Sequence, residues 1–332
     1  MCLTPRQTVL RLLALLVLAS SLSSLPAFAG GDLAQANVQA NVLLQQGKVD
    51  QAGALLRQTL SERPSDASAH ALLCRVYYAQ DMADAAVSEC EKAAAAAPND
   101  SDTQLWLGRA YGIKAMHANP IVAFAFARKV VAAFQRAVQL DPGNVRAMND
   151  LGEYYVDAPA IVGGGLDKAR DLAAQMRPRF PADSHRLSAL IAEKKGDVAT
   201  AEAEFKAAAD TAQTPEAYVN LGHFYQRYHQ PDKAIAPLQA AIAADHHRDA
   251  ALVDAASVLT AAHRSPDVAE SVLREYLASS AKSDAAPAFK VHVQLGNLLA
   301  SRGDMEGAHR EYAAALALAS HYAPARKALQ GS

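Results

Sequence analysis

One spacing constrains this chain more than anything else in it: a small residue followed three positions on by an aromatic, recurring at intervals of about 34 residues. It is legible in Leu107-Gly108 with Tyr111, in Leu151-Gly152 with Tyr155, and in Leu221-Gly222 with Tyr225, the last preceded by Tyr218. Each time an Ala, an aromatic or Leu, and a second Ala follow, often closed by a Pro. A period of that length marks an array of helix pairs, because one pair is too small to bury its apolar face and must stack on its neighbours. Composition agrees: 51% of residues are hydrophobic but only 6% aromatic, so Ala and Leu carry the apolar surface and helices can pack closely.

The pattern divides the chain into units near 33–66, 67–100, 101–144, 145–181, 182–214, 215–248, 249–285 and 289–320. The first carries Gly47 at its turn, then Ala52, Leu56 and Pro64; proline suits the end of a helix because it cannot continue one. The second has Cys74, Tyr77, Ala86, Cys90, Ala93 and Pro98. In the third, Gly108 and Tyr111 are separated from Phe134, Ala137 and Pro142 by an insertion near 112–129, which reads as a longer turn or an extended second helix. The fourth holds a second insertion, near 157–168, between Tyr155 and Ala169. Gly196, Ala201, Phe205 and Ala208 mark the fifth, and Ala234, Leu238 and Ala241 complete the sixth. The seventh is degenerate, lacking the small-to-aromatic pair, and the eighth carries Leu295-Gly296, Gly303, Ala308, Tyr312 and Ala315. Residues 322–330 read as a short capping helix, which array ends require.

These positions resemble the tetratricopeptide repeat (TPR) family, whose pattern has small residues at positions 8, 20 and 27 of each unit and aromatics at 4, 11 and 24. The resemblance covers nearly all of residues 30–332. It implies an all-α, right-handed superhelical solenoid of about eight hairpins with a short C-terminal helix.

Ahead of the array, Arg6 and Arg11 precede the apolar run Leu12 to Ala19, and Ala27-Phe28-Ala29 offers a small-x-small cleavage site. That order reads as a signal peptide over residues 1–29, with secretion across the inner membrane to a bacterial periplasm. The run is shorter than the roughly 20 residues a spanning helix needs, and no second run of that length follows, so no membrane span is expected in the mature chain. Cleavage would remove two of the 32 basic residues against 34 acidic ones and move the net charge from −2 to −4. With no Lys/Arg cluster to meet a phosphate backbone, nucleic acid is excluded as a partner.

Few residues suggest chemistry. Cys74 and Cys90 lie at nearly equal distances from the turn of one hairpin, level on facing helices. They read either as a disulfide, favoured in an oxidising compartment, or as two buried thiols. His223, His229, His246, His247 and His263 lack the i, i+4 spacing of a helical zinc site, so no metal or cofactor is expected. Gly163, Gly164 and Gly165 are not followed by the Lys-Ser/Thr of a phosphate loop and read as a turn, with the loop a candidate partner contact. No nucleophile, base and orienting group gather at readable spacing, and the chain reads as non-enzymatic.

The resemblance also implies a ligand groove along the first helix of each unit. Carried over position by position, it is lined by Asn37 and Asn41, Arg75 and Tyr78, Arg109, then Arg146, Asn149 and Glu153, then Arg186, and finally His223, Gln226 and Arg227. This lining holds more arginine than acid, and Arg and Asn suit carboxylates and peptide backbone. The clamp with which some relatives hold a C-terminal carboxylate is absent, since Asn37, Leu72, Asp102 and Trp106 stand at its positions. The expected function is a protein-interaction scaffold of the cell envelope that binds a peptide or partner protein. The alternative is an accessory glycan- or polysaccharide-binding or export protein, for which Tyr78 is the aromatic the groove offers.

Overall fold

The structure, a computed structural model, describes residues 29–331. Apart from Ala29, the expected signal segment therefore lies outside the described residues. The chain divides into two units at residue 35, and the helical array from Ala36 onward is the second.

The described residues are helical, with no strand among them. In chain order the hairpins are α1 (Ala29–Gln45) with α2 (Val49–Glu62), α3 (Ala67–Ala79) with α4 (Ala83–Ala96), α5 (Ser101–Met116) with α6 (Pro120–Leu140), and α7 (Val145–Asp157) with α8 (Leu166–Met176). There follow α9 (Pro181–Lys194) with α10 (Val198–Ala212), α11 (Pro215–Arg227) with α12 (Pro231–Ala244), α13 (Ala250–Ala261) with α14 (Pro266–Ala278), and α15 (Ala288–Ser301) with α16 (Met305–Leu318). A last helix, α17 (Ala323–Gly331), packs on α16.

Recurring local chemistry starts these helices. The side chains of Asp66, Asp100, Asn144 and Thr214 each accept a hydrogen bond from a backbone N–H three residues on. Each such cap satisfies a donor that the helix start would otherwise leave unpaired.

The small residue of the motif has a direct physical reason. A Cβ on Gly108 would lie 2.4 Å from the Phe134 ring, on Gly222 2.7 Å from Leu238, and on Gly296 2.5 Å from Tyr312. In each of these hairpins a glycine on the first helix receives a large side chain from the second, so the two helices close without a void. In the second hairpin the same two positions hold Cys74 and Cys90. Their sulfurs are joined in a disulfide, with Cα atoms 5.2 Å apart.

The insertion in the third unit is an extended helix: α6 runs for 21 residues, against 11–15 in the other second helices. The fourth unit's insertion is a short 3-10 turn, Ala160–Val162, entering a glycine loop. The loop is tied down. Tyr154 Oη donates within reach of both Ala127 O (2.7 Å) and Val162 O (2.8 Å), Gly165 N–H donates to Tyr155 O, and Lys168 Nζ donates to Gly163 O. Gly163 and Gly165 take φ of +99° and +141°, and a Cβ on Gly164 would overlap Ala158 O. The glycines thus have structural reasons of their own.

The two ends of the array meet. Arg75 of α3 pairs with Asp284 of the α14–α15 connection at 2.7 Å, and Lys290 of α15 with Asp81 after α3 at 3.1 Å. Ser320 N–H donates to Asp50 of α2 at 2.7 Å. A Cβ on Gly47 would lie 2.8 Å from Ala288 N. Accordingly one apolar core runs from Ala40–Ala79 into Phe289, Leu295 and Tyr322 and back to Ala189, while a second, from Cys74 to Ile191, fills the intervening hairpins.

The degenerate seventh unit does not interrupt the array. Leu252, Ala256 and Leu259 of α13 stand where other units carry aromatic or glycine residues, and all three are buried.

Candidate ligand groove

The implied groove residues distribute over three depressions along the first helices. The largest, about 590 Å³, lies between α1, α3 and α5 and is lined by Asn37, Asn41, Arg75 and Arg146 together with Leu72, Asp102 and Trp106. A second, about 560 Å³, holds Tyr78, Arg109 and Glu153 with Asp150 and Tyr154. Glu153, Arg186 and Arg227 line a third, about 500 Å³, with Glu193 and Tyr228. Asn149, His223 and Gln226 line none of the three. Asn149 instead donates to Asp183 at 2.7 Å, and burial, reinforced by the Arg227 charge, pushes the His223 pKa down.

The structure revises the charge expected of this lining. Every arginine in it is already paired with a carboxylate: Arg75 with Asp284, Arg109 with Asp150, Arg146 with Asp102, Arg186 with Glu153 and Arg227 with Glu193. Four of these partners come from an adjacent unit, and the rail continues through Arg264–Asp232 and Arg302–Asp267. The excess of arginine counted along the lining is therefore cancelled locally, and the arginines tie neighbouring hairpins in register. Burial disfavours the charged form of Arg109, but the hydrogen bond to Asp150 outweighs it and leaves the pKa raised. That guanidinium stays charged at any physiological pH.

Trp106 is the residue that the position-by-position reading passed over as a lining group. It is half-buried at the boundary of the largest groove, with Tyr78 edge-on at a centroid distance of 5.4 Å. The Arg75 and Arg109 guanidiniums stand 5.2 and 4.8 Å from its ring centroid, within cation–π range. The available signal was that the chain's single Trp falls at position 6 of a first helix. Beside it, Asn37 donates to Asp66, while the Oδ1 atoms of Asn37 and Asn41 have no acceptor role among the described residues.

Three histidines outside the group singled out by sequence are engaged. His70, His185 and His292 each occupy position 4 of a unit and meet a glutamate 19 residues on, Glu89, Glu204 and Glu311, at 2.6–2.7 Å. The His70 ring also faces Pro64 O at 2.9 Å. These pairs join the two helices of a hairpin. They lie away from the grooves.

Residues 43–110 match the family model for the tetratricopeptide repeat. That segment carries the tetratricopeptide repeat. Among solved structures, the chain is similar to yeast Tom70, at 16% identity and a TM-score of 0.52, over 85% of this chain and 57% of that one. A thermophilic TPR protein of Thermus thermophilus is 19% identical over 69% of this chain and 98% of its own, with a TM-score of 0.45. A tetratricopeptide repeat protein of Parabacteroides merdae matches over 91% of this chain and 98% of its own, at 11% identity and a TM-score of 0.46. No curated protein matches the chain. The fold is one that serves protein–protein interaction, and no described helix is long and apolar enough to cross a membrane.

Proposed function

We propose that this TPR protein is a non-enzymatic scaffold of the bacterial cell envelope that holds an extended peptide, or the terminus of a partner protein, in the groove between α1, α3 and α5. The observation that carries the reading is the composition of that groove. Apolar Leu72 and Trp106 sit beside unpaired amide acceptors of Asn37 and Asn41 and the exposed Arg146–Asp102 pair. A peptide offers what such a lining lacks, namely backbone N–H donors and side chains to cover the indole. The Cys74–Cys90 disulfide supports an oxidising compartment, in keeping with the N-terminal Arg-then-apolar segment.

A glycan ligand remains the second reading, favoured by the Tyr78–Trp106 pair. It ranks lower because the guanidiniums beside the indole compete for the ring that a sugar would stack on.

Trp106 supplies the test, since the chain has one Trp and its emission reports on this groove alone. Peptides recovered by crosslinking in the native compartment should shift that emission saturably, and Asn41→Ala with Arg146→Glu should weaken the titration by ten-fold or more, on the order of one buried polar contact and one charge. Titration without change in emission, or undiminished by the variant, moves the partner elsewhere. Mass spectrometry of the native protein checks the compartment: a chain beginning at Gly30 supports export, and an intact Met1 in the cytoplasm overturns it.

A further inference from the structure

A second surface borders the depression that holds Tyr78 and Arg109, with Met116 on the shared edge. From Thr103 to Leu140 the sequence contains no Asp or Glu but five basic residues, Arg109, Lys114, Arg128, Lys129 and Arg136, in a chain whose net charge is −2. Most of that stretch is the hairpin of α5 and α6. Because α6 has 21 residues where other second helices have at most 15, its N-terminal end overhangs by about 9 Å at 1.5 Å per residue.

The overhang is apolar and open. Met116 and Ile121 are 81% and 84% exposed and Phe124 is 42% exposed. Ile161, 76% exposed, joins them from the second insertion, which Tyr154 fastens to α6 through Ala127 O and Val162 O. The inner side of the same helix is committed, since Phe126 packs on Tyr111 with ring centroids 5.6 Å apart. Along the exposed side the order is Ile121, Phe124, Ala125, Arg128, Lys129, Ala132, Arg136, so an apolar tip gives way to a cationic shank.

The nearby acids are accounted for. Asp84 is held by Lys114 and Glu91 by Lys129, and Asp150, Glu153 and Asp157, which share a depression with Met116, by Arg109, Arg186 and Lys194, while Arg128 makes no ion pair among the described residues and Arg136 meets the neutral Asn99 amide. Arg128 and Arg136 are thus surplus positive charge directly behind the apolar tip.

We propose that this tip is a peripheral docking site for an anionic phospholipid surface. Met116, Ile121, Phe124 and Ile161 enter the headgroup boundary, and Arg128 and Arg136 meet lipid phosphates. An overhang of this length matches the depth to which interfacial apolar side chains sink, and the acid-free shank matches the charge of such a surface. Ile121, Phe124 and Ile161 line none of the three depressions, which favours lipid over a protein ligand that fills a cleft. The inference does not rest on the groove between α1, α3 and α5, whose lining includes none of the tip residues.

Vesicle co-sedimentation tests it, using the chain purified from its native host alongside its variants. Far-UV circular dichroism and the Trp106 emission confirm that each variant is folded. The chain should sediment with vesicles of phosphatidylcholine and phosphatidylglycerol at low salt, and much less with phosphatidylcholine alone or at high salt. Arg128→Gln should weaken the partition about five-fold, the usual effect of one interfacial cation. Ile121→Asp with Phe124→Asp should abolish the tip's contribution. Equal sedimentation of wild type and the Ile121/Phe124 variant overturns the proposal, as does failure of the wild type to bind anionic vesicles. Tip-dependent capture of a protein without vesicle binding also overturns it and assigns the surface to that protein.

Discussion

The junction between α11 and α13 and the junction between the array's two ends do the same job with different means. At the regular junction, hairpins adjacent in sequence stack first helix on first helix and are tied by an exposed ion pair, Arg264 with Asp232 of the preceding hairpin. At the end-to-end junction, residues more than 200 positions apart meet, and the tie is a half-buried pair, Arg75 with Asp284, at 21% and 15% side-chain exposure. The connection bearing Asp284 is itself braced: Tyr276 Oη donates to Ala286 O at 2.6 Å and accepts from Ser283 N–H at 3.0 Å. A repeat explains the first kind of junction directly. The second arises only after each hairpin's small rotation has accumulated along the whole array.

The largest effect should come from the hairpin that feeds both kinds of junction. Replacing Cys74 and Cys90 with Ser should cost about 3 kcal/mol, the value for a loop of this length. Chemical denaturation with and without reductant measures it, and an unchanged midpoint would mean the bridge constrains nothing.

Two glycines sharpen the contrast itself. Gly47, at the end-to-end junction, and Gly196, at an internal hairpin turn, both have φ of +76°. A Cβ at Gly196 meets nothing within 4 Å, whereas at Gly47 it lies 2.8 and 2.9 Å from Ala288 N and Cβ. Gly196→Ala should cost about 1 kcal/mol of backbone strain, and Gly47→Ala about 2–3 kcal/mol because the last hairpin must also shift. X-ray scattering should show expansion for the second variant only. Equal costs would remove the end-to-end contact from the account.

Asp284→Ala leaves Arg75 unpaired in a half-buried site and should cost about 1.5–2 kcal/mol, against less than about 0.5 for Asp232→Ala in the exposed pair. Thermal unfolding of the two variants side by side decides between them.

The smallest effect depends on pH. Crowding by the surrounding helices, with Glu216 and Asp249 close by, raises the Asp254 pKa to about 6 from 3.8, and because the side chain is open to water the effect on stability is screened. With the folded value above the unfolded one, the native state binds the extra proton. Stability from this group is therefore full below about pH 4 and is lost as pH rises toward 6. Asp254→Asn should raise the melting temperature at pH 7.5 and leave it nearly unchanged at pH 4; the reverse order would contradict the assignment.

Much of the hairpin architecture was legible because it is local. Gly108 with Phe134 and Gly296 with Tyr312 announce a close helix pair, and the level placement of Cys74 and Cys90 made a bridge geometrically open. Other features left traces that a motif of small and aromatic residues does not look for. Arg186 follows Glu153, and Arg227 follows Glu193, at nearly the repeat period, so their pairing was written in the spacing. The same is true of the three His–Glu pairs at a separation of 19 residues. Counting arginines position by position misread the groove's charge because four of the cancelling acids sit one unit away and the fifth, Asp284, at the far end of the array. Contacts such as Asp81–Lys290 left no trace, since no local pattern reports the closure of an array.

Zero-length carbodiimide crosslinking of the monomer tests the central claim, that helix hairpins stack in register until the last docks on the first. Lys290 Nζ stands 3.1 Å from the Asp81 carboxylate. Peptide mapping should therefore recover an amide between Lys290 and Asp81 within one chain, beside links such as Lys129–Glu91 between neighbouring hairpins. Recovery of the neighbouring links alone, with Lys290 and Asp81 never joined, would mean that the ends stand apart.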